Sequence, residues 1–288
     1  LTEPTDDGRA RPSRPRGRTI SLRSLPSLPP KLADLLRLAN NSSVTPRDLS
    51  RAVQGVPDFA ARVLRALAAT HPDSRSIDDA LRAVGTRRMR GVVSALALAP
   101  LFDDGVARSV VPARMAAHGL ACALWSAEVA QVLGHQPSTD LITAALMHDV
   151  GMLLLDRFVP DDFAAVLERA RREGVHHAEV EQVDLAQTHA RAGALLCARW
   201  SLPPQVTELV AAHHAPDAGG TADGRLLAVA DHLAARHGHA SLDGSPPRPL
   251  APDTLVALGV DAATLDALGG LAPFVEAQLR TILAAAAS

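Results

Sequence analysis

"LITAALMHDVGMLLLD" (residues 141–156) is an apolar run broken at its centre by a histidine and an aspartate, His148 and Asp149. An imidazole and a carboxylate are costly to bury without partners. The pair can mark a helix end or a satisfied core contact. It can also point at a metal. The rest of the chain decides between these, by whether it supplies further ligand-type residues that one fold can gather.

The surrounding sequence is helical. Thr45-Pro46-Arg47-Asp48 reads as a capping box with proline at the first helical position. Ser76-Ile77-Asp78-Asp79 reads as a second, opening a helix that Gly85 can end. Amphipathic or Ala/Leu-rich segments follow: "ARMAAHGLACALWSAEVAQVLG", "PDDFAAVLERARREG", "AEVEQVDLAQTHARAGALLCARW", "PPQVTELVAAHHA" and "GRLLAVADHLAARHG". Each ends at Gly, Pro or a polar cluster. No segment alternates with the period of a strand. The fold class is all-α.

Composition narrows the function. Of 288 residues, 47% are hydrophobic and 21% charged, which is enough for a sizeable core. The net charge of -2 offers no basic field for nucleic acid, so no direct nucleic-acid binding is expected. Cys122 and Cys197 form no disulfide framework and suit a reducing cytosol. There is no apolar run of spanning length and no signal-peptide core, so the expectation is a cytoplasmic protein without membrane contact. Residues 1–20, rich in Pro and Arg, read as a disordered tail. Residues 241–253 read as a linker to a C-terminal helical extension.

Five further ligand-type residues share apolar helical contexts with the His148-Asp149 pair: His118, His189, His213, His214 and Asp231. Singly, each reads as a core histidine, a helix-end imidazole or an arginine partner. Together they can converge on one pocket of a bundle. Imidazole with carboxylate suits Fe, Mn or Zn rather than Ca. Two aspartates allow a mononuclear or a dinuclear centre, one carboxylate bridging the metals, which activates water for attack on phosphorus. His71, His135, His176, His177, His237 and His239 sit in turn-like or helix-end contexts and are set aside.

The order H…HD…H…HH…D on helices resembles the HD superfamily of metal-dependent phosphohydrolases. More specifically, "LPSLPPKLADLLRLAN", "PDFAARVLRAL", "ALMHDVGMLLLD" and "HARAGALLCARWSLPPQVTELVAAHHAP" resemble an HDOD domain, the HD-related output domain of bacterial signalling proteins. The likeness spans roughly residues 22–240. It implies an N-terminal helical subdomain (21–105), an HD-like bundle (106–240) and an extension (241–288). By position it implies His118, His148, Asp149 and Asp231 as the core metal ligands. His189, His213 and His214 match the additional histidines of the related HD-GYP phosphodiesterases. There are departures. Met152 stands where HD-x-G-K has its phosphate-binding lysine, "APDAGGTADG" replaces the GYP segment, and Arg114 stands where some relatives carry a glutamate. Arg114 and Arg191, each about one helical turn from a ligand, are the candidates for a substitute phosphate clamp. The resemblance implies a regulatory module with an HD-type divalent metal site and a protein partner. The alternative is a metal-dependent phosphohydrolase acting on a nucleotide or cyclic dinucleotide. The ligand set favours turnover and the missing lysine opposes it, so the sequence leaves catalysis open.

Overall fold

The computed structural model describes residues 19–98, 109–215 and 220–286, apart from 22, 24, 42, 69, 70 and 72. The predicted tail, but for its last two residues, and the end of the "RRMRGVVSALALAPLF" helix lie outside the described residues. Among those described there are helices and no strand. An N-terminal layer holds α1 (Pro30–Ala39), α2 (Pro46–Gln54), α3 (Pro57–Ala68) and α4 (Ile77–Leu98). Gly85 breaks α4 internally, with φ 78° and ψ 160°. A left-handed φ is open to glycine at little cost. The predicted stop is therefore a kink.

The bundle follows with α5 (Pro112–Val132), α6 (Thr139–Met147), α7 (Gly151–Phe158), α8 (Pro160–Glu173), α9 (His177–Asp184), α10 (His189–Arg199), α11 (Pro204–Ala212) and α12 (Ala222–Arg236). Last come α13 (Pro252–Leu258), α14 (Ala262–Gly269) and α15 (Ala272–Ala286). Helix α5 is central, packed between α6 and α12, and α10 lies between α7 and α11. The central place of α5 explains its composition. Apolar residues all round a helix mean burial all round, and Met115, Leu120, Cys122, Trp125 and Val129 are all inaccessible.

Two helices depart from the sequence reading. The segment read as one helix from Ala178 to Trp200 is two, α9 and α10. Thr188 caps the second by accepting the Arg191 N–H, which makes His189 its first residue. The C-terminal extension packs through α15 on both α5 and α3 and so bridges the two layers.

The layers are also tied by polar groups. The Thr143 hydroxyl on α6 donates to the Asn40 side-chain oxygen at the end of α1. Within the N-terminal layer, buried Arg90 donates to the carbonyls of Ala39, Asn41 and Val44 at 3.2, 2.6 and 2.7 Å. The Asn41 carbonyl also accepts the Val44 N–H, while that of Ala39 is at the end of α1, where helix carbonyls lack an internal partner. Removing the donor breaks three hydrogen bonds and deprives the buried Ala39 carbonyl of this partner. Arg90→Ala is therefore expected to cost about 3 kcal/mol in urea denaturation.

Candidate metal centre

The break between α6 and α7 answers the question raised by His148 and Asp149. Helix α6 ends at Met147, residues 148–150 form a turn, and α7 restarts at Gly151. The pair does not lie within a helix, as its apolar context suggested, but in the corner between two. Gly151 is what permits the corner. A Cβ there would lie 1.8 Å from the His189 carbonyl oxygen and 2.7 Å from the Gly193 nitrogen. The start of α7 thus rests backbone to backbone on α10, which brings Asp149 within reach of His189.

The other predicted ligands arrive from four directions. His118 projects from the middle of α5, His189 from the first turn of α10, His213 and His214 from the turn after α11, and Asp231 from α12. All seven come together. His118, His148, His189 and His213 are each at least 96% buried. They form two groups that share Asp149. In the first, His118 Nε2 lies 3.1 Å from His148 Nε2, 3.3 Å from Asp149 Oδ2 and 3.4 Å from Asp231 Oδ1. In the second, Asp149 Oδ1 lies 3.4 Å from His189 Nε2 and 3.5 Å from His213 Nε2. Within that group His189 Nε2 is 3.2 Å from His213 Nε2 and 2.9 Å from His214 Nε2. A metal about 2.05 Å from tetrahedral ligands sets those ligands roughly 3.3 Å apart. The observed spacings cluster around that value.

The hydrogen-bond roles make the same point independently. His118 Nδ1 donates to the His239 carbonyl at 2.5 Å, His148 Nδ1 to Ala145 at 2.8 Å and His213 Nδ1 to Val210 at 2.7 Å. His189 Nδ1 lies 2.7 Å from the carboxylate of Glu181, which also accepts the His189 backbone N–H. A carbonyl or carboxylate only accepts, so these Nδ1 atoms carry the proton. In the neutral rings every Nε2 then presents a lone pair to another lone pair about 3 Å away, an arrangement that needs a cation between them. The four rings have the oriented outer partners that metal-ligating histidines have.

The electrostatics of the cluster are strongly coupled. Burial works against charge on His118, while Cys122, Asp149 and Asp231 beside it hold its pKa well above the ordinary histidine range. Burial pushes the Cys122 thiol up to about 11. Burial likewise opposes charge on His189, yet Glu181 and Asp149 raise it to about 10. His148 has its pKa pressed down to about 4, chiefly by burial. Burial would raise Asp149, but the four histidines around it keep it well below the carboxylate range. Asp231 opposes the same burial with His118 and His148 beside it, and sits at about 2.

Sequence reasoning missed four residues. Glu181, fully buried, orients His189. His176 and His177, set aside as turn residues, lie beside the second group, His177 buried with both ring nitrogens unpartnered. Arg248, in the predicted linker, lines two cavities together with Asp231 and His214. The two arginines proposed as clamps stand apart. Arg114 is exposed and pairs with Asp243 at 3.3 Å, and exposed Arg191 lines neither of these two cavities. Met152, at the missing lysine's position, is fully buried.

A model of the HDOD domain family matches residues 25–216, more than half of the chain. Three solved structures are similar. A candidate phosphohydrolase from Shewanella amazonensis SB2B has a TM-score of 0.72 at 25% identity, over 92% of this chain and 96% of that one. An HDOD domain protein of unknown function from Geobacter sulfurreducens has a TM-score of 0.70 at 22% identity, over 91% and 92%. A candidate signal transduction protein from Marinobacter aquaeolei VT8 has a TM-score of 0.67 at 22% identity, over 92% of this chain and 60% of that one. The latter two likenesses concern the fold. No helix among the described residues is long and apolar enough to cross a membrane.

Proposed function

The chain belongs to the HDOD domain family, and on that premise we propose that it is a bacterial signalling module organised around a centre for two divalent transition-metal ions. His118, His148 and Asp231 hold one ion, His189, His213 and His214 the other, and Asp149 spans both. One observation carries this reading. The carboxylate of Asp149 reaches both imidazole groups at once, Oδ2 at 3.3 Å from His118 and Oδ1 at 3.6 Å from His148, 3.4 Å from His189 and 3.5 Å from His213. A lone hydrogen-bonded aspartate has no need of that arrangement.

The regulatory reading rests on the segment that follows α12. The space between that segment (Ser241, Ser245, Pro246, Arg248) and His118, Asp149, His214 and Asp231 is only about 10 Å³. That is room for about one water. The carbonyl of His239 holds His118, and Arg248 donates to the His214 carbonyl. The segment after α12 is thus fastened across the centre by the same residues that would hold metal. Metal occupancy and the position of this segment are then one equilibrium, which a partner protein can read.

The second reading, a metal-dependent phosphohydrolase, has the completeness of the ligand set in its favour. A bound pair of divalent ions supplies Lewis-acid chemistry and activated water. The chain's part is to fix the ligand tautomers through Glu181 and the three carbonyls, and to keep bulk water out. An assay on metal-loaded protein separates the two. The regulatory reading predicts that hydrolysis of bis(p-nitrophenyl) phosphate and of cyclic dinucleotides stays at the background of the Asp149→Asn variant. Turnover at least about tenfold above that background establishes the hydrolase.

A further inference from the structure

Beside the two imidazole groups, and sharing His214, Asp231 and Arg248 with the small space, lies a cavity of about 240 Å³. Its walls include His213, His214 and Asp231 from the proposed centre, Arg248 from the strap, and the apolar side chains of Ala228 and Leu250. Arg248 is half-buried. Its Nη2 donates to the His214 carbonyl, and its own carbonyl accepts from His232 Nδ1 at 2.8 Å, which fixes the backbone that presents it. Among the described residues no carboxylate pairs with its guanidinium. By contrast, buried Arg90 has three carbonyls and half-buried Arg169 has Glu173 and Asp184.

A guanidinium stays charged and offers five donors in a fork suited to phosphate. Here it faces a site that itself collects cations. Two centres of positive charge across one cavity repel each other unless an anion lies between them. Phosphate oxygens can meet both, bonding to the fork on one side and to metal on the other. The apolar walls then suit a small organic group attached to that phosphate. The volume lies below the usual range for drug-sized ligands. A mononucleotide-sized compound matches it, and a whole cyclic dinucleotide does not.

We infer that this cavity binds a phosphomonoester of mononucleotide size, with Arg248 as its phosphate-binding residue. The inference rests on the two-metal reading above and names the ligand of that same centre. It also relocates the clamp. The positive charge that Met152 cannot supply comes from the strap.

The test is calorimetric titration of the metal-loaded full chain with inorganic phosphate and with 5′-AMP, alongside metal analysis of each sample. Wild type is expected to bind both, 5′-AMP the more tightly. Arg248→Gln, compared with wild type per metal-loaded site, is expected to weaken both by at least about tenfold. Arg248→Lys, which keeps the charge without the fork, falls between the two. A metal-loaded wild type that binds neither compound overturns this inference and leaves the metal centre standing. So does an Arg248→Gln protein that binds phosphate as wild type does. A wild type that carries no metal overturns the reading on which the inference rests.

Discussion

Gly151→Ala is expected to be the most destabilising of the substitutions considered, lowering stability by upward of about 4 kcal/mol. The methyl group would lie 1.8 Å from a carbonyl oxygen and 2.7 Å from a backbone nitrogen, both on α10. Neither neighbour is the loose end of a side chain. Relief requires α7 and α10 to move apart, and both are locked into the core through Met152, Leu155, Leu196 and Cys197. Overpacking of this kind costs upward of about 4 kcal/mol, a large share of the 5–15 kcal/mol that holds a typical domain. Gly91→Ala is the matched control. Its added carbon meets only the Ile142 Cγ2, at 3.3 Å. It also gains the helix propensity of alanine, so its stability should stay within about 1 kcal/mol of wild type. Urea denaturation of the two variants checks the contrast. Equal effects would mean that the corner at residues 148–151 is not held by the contact between α7 and α10.

A second large effect is expected on removing metal. Ions that bind only the folded chain stabilise it by mass action, about 4 kcal/mol when free metal is a thousandfold above its dissociation constant. For a chain of this size that corresponds to roughly 10 °C in melting temperature. EDTA should therefore lower the melting temperature of wild type by about that amount. Asp149→Asn keeps the shape of the shared residue but removes the charge that both groups use. Its melting temperature should move by less than about 2 °C on adding EDTA. An equal response of the two proteins would mean that the carboxylate does not join the groups.

Much of this was legible in the sequence, for identifiable reasons. Residue types that bind metal stand out in an Ala/Leu-rich chain, so His118, His148, Asp149, His189, His213, His214 and Asp231 could be picked out before their positions were known. Helix ends were marked by side chains that cap them, as Thr45 does by accepting the Asp48 N–H. What escaped notice depended on contacts distant in sequence or on backbone atoms. Glu181 looked like one more surface glutamate, because nothing in its neighbours shows that a turn at residues 185–188 folds His189 back onto it. The carbonyl of His239 has no signature at all. Arg114 and Arg191 were chosen for nearness along their helices, but spacing of one turn does not decide which face a side chain takes. Arg248 was missed because a Pro-rich segment reads as a spacer, and only the fold shows it crossing the mouth of the site.

The central claim is that Asp149 joins two imidazole groups into one metal centre. The most direct measurement is elemental analysis of the chain purified without chelator and reloaded with Fe, Mn or Zn. The account predicts close to two equivalents per chain, with both lost together in Asp149→Ala. A wild type that binds no metal, or an Asp149→Ala protein that still holds two equivalents, would contradict it.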